Sequence, residues 1–112
     1  MSVSTVASVK ITDNSGEFID AKDQAVARAL EAIGLLAEGY AKALSPVDTG
    51  RLRSSISHDT DDDTAYIGTN VEYAAYVELG TQKTKAQPYL RQAVEDHGTQ
   101  YRQLAERHLK EG

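Results

Sequence analysis

The stretch Ser45-Pro46-Val47-Asp48-Thr49-Gly50-Arg51-Leu52-Arg53-Ser54-Ser55-Ile56 separates two kinds of pattern in this 112-residue chain. Upstream, apolar residues recur at helical spacing; downstream they begin to alternate. Pro46 biases Ser45 away from helical geometry, so the upstream helix is expected to stop there. Either Asp48 or Thr49 can accept the free backbone N–H of Arg51 or Leu52 and cap a helix of one or two turns. Leu52 and Ile56 then stand four apart and can bury together.

Asp48-Thr49-Gly50 is also the active-site triplet of aspartic proteases, where two such aspartates share a proton on loops of a largely β barrel. Here helical patterns flank the triplet, and Arg51 and Arg53 follow at once. A guanidinium beside the carboxyl lowers its pKa and opposes a shared proton. We therefore read the triplet as a turn and cap, and do not expect an enzyme.

With 40% hydrophobic and 26% charged residues, the length suits one soluble domain, 1–112, that buries roughly two-thirds of its unfolded surface. The absence of cysteine excludes disulfides, thiolate metal sites and a cysteine nucleophile. Met1-Ser-Val-Ser-Thr-Val has neither the basic nor the apolar region of a signal peptide, and the apolar patch Ile33–Ala37 is too short for a bilayer. The expectation is a protein made in the cytosol and not held in a membrane. Net charge is −5, with 6 basic and 7 acidic groups in residues 1–56 and 6 against 10 in residues 57–112. That balance argues against general nucleic-acid binding, with Lys83 and Lys85 as a local basic spot. An acidic wall is also what lets DNA slide past without sticking.

Residues 6–12 read as a strand with one wet face, followed by a turn at Asp13–Gly16, with Phe18 plugging the start of the core. From Asp20 to Leu44, the apolar residues Val26, Leu30, Ile33, Ala37, Tyr40 and Leu44 lie on one helical stripe. Gly34 and Gly39 weaken that helix and permit close approach of a sheet. Residues 56–58 and 65–68 flank the acidic run Asp59–Thr64 and predict a β-hairpin with a solvated tip. The run lacks the alternating ligands and glycine of a calcium loop. His58, His97 and His108 have no metal-ligand spacing and read as surface or core-edge residues. Asn70 can cap a short helix over 71–79 that closes at Gly80 in a left-handed C′ position, with Tyr73, Tyr76 and Val77 on one face. Thr81–Gln87 holds no apolar anchor beyond Ala86 and reads as a mobile loop. Pro88 opens a last helix with Leu90, Val94, Tyr101, Leu104 and His108 on its stripe and Gly98 as its weak point. The fold class is α+β: N-terminal strand, long amphipathic helix, hairpin completing a small antiparallel sheet, short helix and C-terminal helix.

Three segments in order, Pro46-Val-Asp-Thr-Gly-Arg-Leu-Arg-Ser-Ser-Ile56, Glu72-Tyr-Ala-Ala-Tyr-Val-Glu-Leu-Gly-Thr81 and Pro88-Tyr-Leu-Arg-Gln-Ala93, resemble the tailed-bacteriophage minor tail component family, the tail-completion or head-to-tail neck proteins of phages and prophages. The resemblance covers roughly residues 45–93. Tyr89 stands where the family more often has Phe, and Gln92 where Pro often follows Arg91. The resemblance implies a structural virion protein in a homo-oligomeric ring at the head–tail junction, assembled in the host cytoplasm beside other neck and tail proteins. DNA would pass its lumen without sequence recognition, and no cofactor or metal is implied. Pro46, Asp48, Thr49, Gly50, Leu52, Tyr73, Ala74, Glu78, Gly80, Thr81, Pro88 and Leu90 carry the motifs. Gln82, Lys83, Thr84, Lys85, Ala86 and Gln87 form the candidate interface, with the hairpin tip as a second poorly self-satisfied part. Glu78 is expected to pair with Arg51 or Arg53 and tie the hinge to the short helix. The alternatives are a small non-catalytic regulatory binding module and, further off, a protease-like protomer using Asp48.

Overall fold

A computed structural model describes residues 5–10, 23–45, 50–71, 73–82 and 85–111. The elements are β1 (Thr5–Lys10), α1 (Asp23–Leu44), α2 (Arg51–Ser55), β2 (Ser57–Thr60), β3 (Thr64–Thr69), α3 (Ala74–Leu79), α4 (Tyr89–Glu95) and α5 (Gly98–Glu111). The expected α+β class holds. Ile11, Phe18 and the turn at 13–16 lie outside the described residues, as do Pro46, Asp48, Thr49, Lys83 and Thr84.

The sheet is antiparallel in the order β1-β3-β2, with Thr5 opposite Thr69, Lys10 opposite Thr64, and Ser57 opposite Gly68. Side chains of a strand alternate between faces. Val9, Ala65 and Ile67 accordingly turn toward α1, while Val6, Ser8 and Lys10 stay wet. α1 packs against β2 and β3, α4 against β1, and α5 runs along α1. Val26, Leu30, Ile33, Ala37 and Ala41 form the buried seam of α1, joined by Leu52, Ile56, Leu90 and Tyr101. Leu52 and Ile56 thus bury together as their spacing predicts. Among the described residues no helix is long and apolar enough to cross a membrane.

The stripe of α1 ends one turn earlier than expected. Leu44 is 42% exposed and Ser45 is 3% exposed, and the Ser45 N–H closes the last turn on the Ala41 carbonyl at 3.0 Å. Ser45 Oγ and Arg53 Nε both donate to the Lys42 carbonyl, at 2.9 and 3.0 Å. That carbonyl belongs to the last turn, where oxygens lack helical partners and a cation is favoured.

Two further elements differ from the sequence reading. Asn70 does not begin the short helix: Thr69 Oγ1 accepts the Val71 N–H at 3.1 Å, the Ala74 N–H reaches the Val71 carbonyl at 3.1 Å, and α3 starts at Ala74. Tyr76 leaves the face it was expected to share with Tyr73 and is 64% exposed. The single last helix is two, broken at Asp96 and His97. The Tyr101 hydroxyl donates to the Ala93 carbonyl, eight residues back. In a straight helix those residues stand roughly 12 Å apart along the axis, so the bond requires the break. His97 at the break stacks on Tyr40 with ring centroids 3.5 Å apart, and Tyr101 meets the same ring edge-on.

Candidate functional site

The first motif is joined to the end of β3, just ahead of the second, by a directional chain of hydrogen bonds. Ser55 Oγ donates to the Leu52 carbonyl at 2.7 Å and lies 2.5 Å from Thr69 Oγ1, which accepts the Val71 N–H. A carbonyl can only accept, so Ser55 gives its one proton to Leu52 and Thr69 gives its own to Ser55. Three groups are satisfied in sequence, and the end of β3 is fixed to α2. Gly50 opens α2 at φ 73° and ψ −13°, a left-handed conformation that favours glycine. The Ser54 N–H reaches the Gly50 carbonyl at 2.9 Å. The expected cap of α2 by Asp48 or Thr49, and what Asp48 faces, both fall outside the described residues.

The second and third motifs meet through Glu78. Its Oε1 accepts the Leu90 N–H at 3.0 Å and its Oε2 the Arg91 N–H at 3.1 Å. A carboxylate on α3 thereby caps the first turn of α4, whose backbone donors lack helical partners and carry partial positive charge. This corrects the expected pairing with Arg51 or Arg53. Glu78 ties α3 to α4, the Arg53 Nε serves α1, and the Arg51 guanidinium lies over the Tyr73 ring, 5.7 Å from its centroid. Ala74 and Leu90 are fully buried, and α3 packs chiefly against α4.

Gly80 ends α3 with its N–H on the Tyr76 carbonyl at 2.8 Å, at φ 77° and ψ 172°. This is not the left-handed cap expected; it is an extended mirror conformation open essentially to glycine alone, and it sends the chain straight out of the helix. The Gln87 N–H returns to the Val77 carbonyl at 2.8 Å, so the segment Thr81–Gln87 leaves and rejoins at neighbouring points of α3. Its described members, Thr81, Gln82, Lys85, Ala86 and Gln87, are exposed, and Leu79 beside it is 77% exposed.

The hairpin tip, expected to be poorly satisfied, is not. Asp61 Oδ1 accepts the N–H groups of Asp63 and Thr64 at 3.1 and 2.9 Å, and Oδ2 accepts the Tyr66 hydroxyl at 2.7 Å. The Tyr66 bond leads the causes that hold Asp61 below the usual carboxylate range. An acidic run that supplies its own turn acceptors has little left to offer a partner.

His58, read as a surface or core-edge residue, does lie half-buried at the edge of the core, and it also acts as a clamp. Its Nε2 meets Glu31 Oε1 at 2.6 Å and its Nδ1 meets Glu38 Oε1 at 2.7 Å. Two carboxylates can only accept, so the ring holds both with a proton on each nitrogen. The bond to Glu31, then that to Glu38, lifts its pKa above the ordinary 6.5 against desolvation. For Glu38 burial pulls upward, but the bonds from His58 and Lys42 outweigh it and the pKa lies below 4.5. The signal in the sequence was Glu31-x-x-Gly34-x-x-x-Glu38, two acids bracketing a glycine on one helical flank.

The family model described as "Bacteriophage HK97-gp10, putative tail-component" matches residues 10–80. That span runs from Lys10, the last residue of β1, through Gly80, taking in α1, α2, β2, β3 and α3 and stopping before Pro88. No curated protein and no solved structure matches the chain significantly. With more than half of its length covered, including α2 and the end of β3 that Ser55 and Thr69 join, the chain belongs to the HK97 gp10-like family of bacteriophage tail components.

Proposed function

We propose that this tail component is a non-catalytic building block of the head-to-tail neck or tail-completion ring of a tailed phage or prophage. Several copies of it surround the DNA path and contact other neck and tail proteins. The observation that carries this reading is the use made of side chains in and beside the motifs. Ser55, Thr69 and Glu78 hold backbone groups of α2, of the turn before α3 and of α4, and beside this frame the described residues Thr81, Gln82, Lys85, Ala86 and Gln87 are exposed. Such a frame supports a partner-binding surface, where rigid presentation lowers the ordering cost of association.

The test is a phage or prophage carrying a deletion of this gene. The expected result is DNA-filled heads and finished tails that do not join, visible by electron microscopy, with joining restored by adding the purified protein. Infectious particles of normal form without the protein would overturn the reading. So would antibody labelling that finds it absent from the junction of complete particles.

A further inference from the structure

α5 packs chiefly against a single element, α1. Its Tyr101 meets the Tyr40 ring, and its Leu104 shares a groove with Leu35, Leu36 and Tyr40. Its link to α4 is the two-residue break at Asp96 and His97. On either side of that break the backbone is already helical. The Asp96 N–H reaches the Gln92 carbonyl at 3.0 Å, and the Tyr101 N–H reaches the His97 carbonyl at 3.2 Å. Asp96 itself has right-handed helical angles, φ −81° and ψ −7°. The stripe Leu90, Val94, Tyr101, Leu104 and His108 keeps the phase of a single helix across the break.

Neither a proline nor a left-handed residue enforces the break. In a straight helix the Ala93 carbonyl takes the His97 N–H. Among the described residues that bond is not made, and the Tyr101 hydroxyl occupies the carbonyl in its place. The broken form also leaves the buried His97 Nδ1 with no hydrogen-bond partner among the described residues. Buried polar atoms in native proteins seldom stay so. The break is thus a latch, closed by a side-chain hydroxyl between two segments that are ready to join.

We propose that α5 exchanges between copies of this chain: the break straightens, α4 and α5 become one helix, and α5 docks on the α1 of a second copy. The occupant is fixed by what that flank of α1 already receives, because the exchanged contact reuses the packing of Tyr101 and Leu104 on Tyr40 and Leu36. Exchange of an identical element costs little, and a short hinge invites it. The 14 residues of α5 make roughly 21 Å of helix, enough to carry its apolar face clear of its own α1. Each copy gives one α5 and receives one, so the exchange closes as a reciprocal pair or as a ring. The inference goes beyond the ring reading and does not depend on it.

The chain has no cysteine, so thiols placed beside the α1–α5 contact report on that contact alone. Leu35 and Leu104 line the same groove, which brings Leu35→Cys and Leu104→Cys within reach of a short bismaleimide. The two variants are unfolded and refolded together at high concentration, treated with the cross-linker and read on a denaturing gel. The expected result is a cross-linked dimer from the mixture and from neither variant alone. Adding Gly98→Ala to both should raise the yield. A Cβ built on Gly98 meets nothing within 4 Å, and alanine favours the form with residue 98 inside a helix by about two- to fivefold per chain. Tyr101→Phe keeps the ring, removes the latch and should raise the yield as well. Gly98→Pro suits the first position of α5 but forbids a helix running through it, so the dimer should vanish while circular dichroism stays unchanged.

A dimer from Leu35→Cys alone would mean that two grooves face each other, and it overturns the proposal. So does a mixture that gives no dimer at any concentration, or a yield that Gly98→Pro leaves unchanged. If Gly98→Pro does not fold, Gly98→Ala decides: a yield no higher than that of the parent mixture overturns the proposal.

Discussion

Gly34 on α1 and His58 on β2 meet so closely that a Cβ built on Gly34 would lie 2.8 Å from His58 Cδ2. The helix carries a glycine there because the imidazole, gripped by Glu31 and Glu38, lies flat against its backbone. Gly39, five residues on, has nothing within 4 Å of the same built atom. The two glycines therefore predict opposite outcomes. Gly39→Ala should stabilise the protein by about 0.5–1 kcal/mol through helix propensity alone. Gly34→Ala gains the same propensity but must displace a ring held at both ends, for a net loss of about 1–2 kcal/mol on the scale of overpacked sites. Denaturant titrations of both variants, run side by side, check the sign.

The clamp also fixes a pH dependence. The folded-state pKa of His58 is raised above 6.5, so its contribution is complete below that value and is lost as pH rises through the folded pKa. That of Glu38 is lowered below 4.5, so its contribution is present above 4.5 and is lost as pH falls through the folded pKa. The network is therefore strongest between the two ordinary values. His58→Gln should show its largest stability deficit there, and the deficit should shrink as pH climbs above 6.5. Melting temperatures of the two proteins across that range test it; parallel curves would show that the ring carries no charge.

Glu78 caps α4 with both oxygens, and Glu78→Gln keeps only one acceptor while turning an NH₂ toward a backbone N–H. The expected cost is about 1–2 kcal/mol, that of losing a charged cap. Hydrogen exchange should localise the change, with faster exchange at Leu90 and Arg91 than elsewhere. Uniform exchange would mean that the helix start is held by packing alone.

Thr69→Val removes the acceptor of the Val71 N–H and the donor to Ser55 in one step. Leaving a buried N–H unpaired costs about 1–3 kcal/mol, and Thr69→Ser should recover most of it. Combined with Ser55→Ala, the loss should be less than additive, because both changes cut the same chain of bonds. A double-mutant cycle by denaturant titration measures this directly.

What could be read from the chain was what lies within one element. The period of α1, the alternation of β1 and β3, and the burial of Leu52 against Ile56 all follow from local spacing. The features that escaped are those in which one element completes another. The Glu78 carboxylate serves a helix that starts eleven residues later, and Arg53 closes a helix that has already ended. The Tyr101 hydroxyl finds a carbonyl freed only because the helix breaks. Gly98 marked the weak point of that helix, yet propensity alone could not say whether the helix would bend or part. The clamp at His58 left a trace in the spacing of Glu31, Gly34 and Glu38, but nothing in that spacing names the strand that supplies the ring.

α1 touches both the sheet and α5, and its partners are separated from it by very different lengths of chain. Its docking on the hairpin needs residues up to 69, whereas its contact with α5 waits for residue 98 and beyond. During synthesis the helix and sheet can join while the flank that receives Tyr101 is still bare. By sequence separation, the contact of α1 with α5 closes a longer loop than its contact with the hairpin, and the entropy of closing that loop favours the hairpin contact forming first.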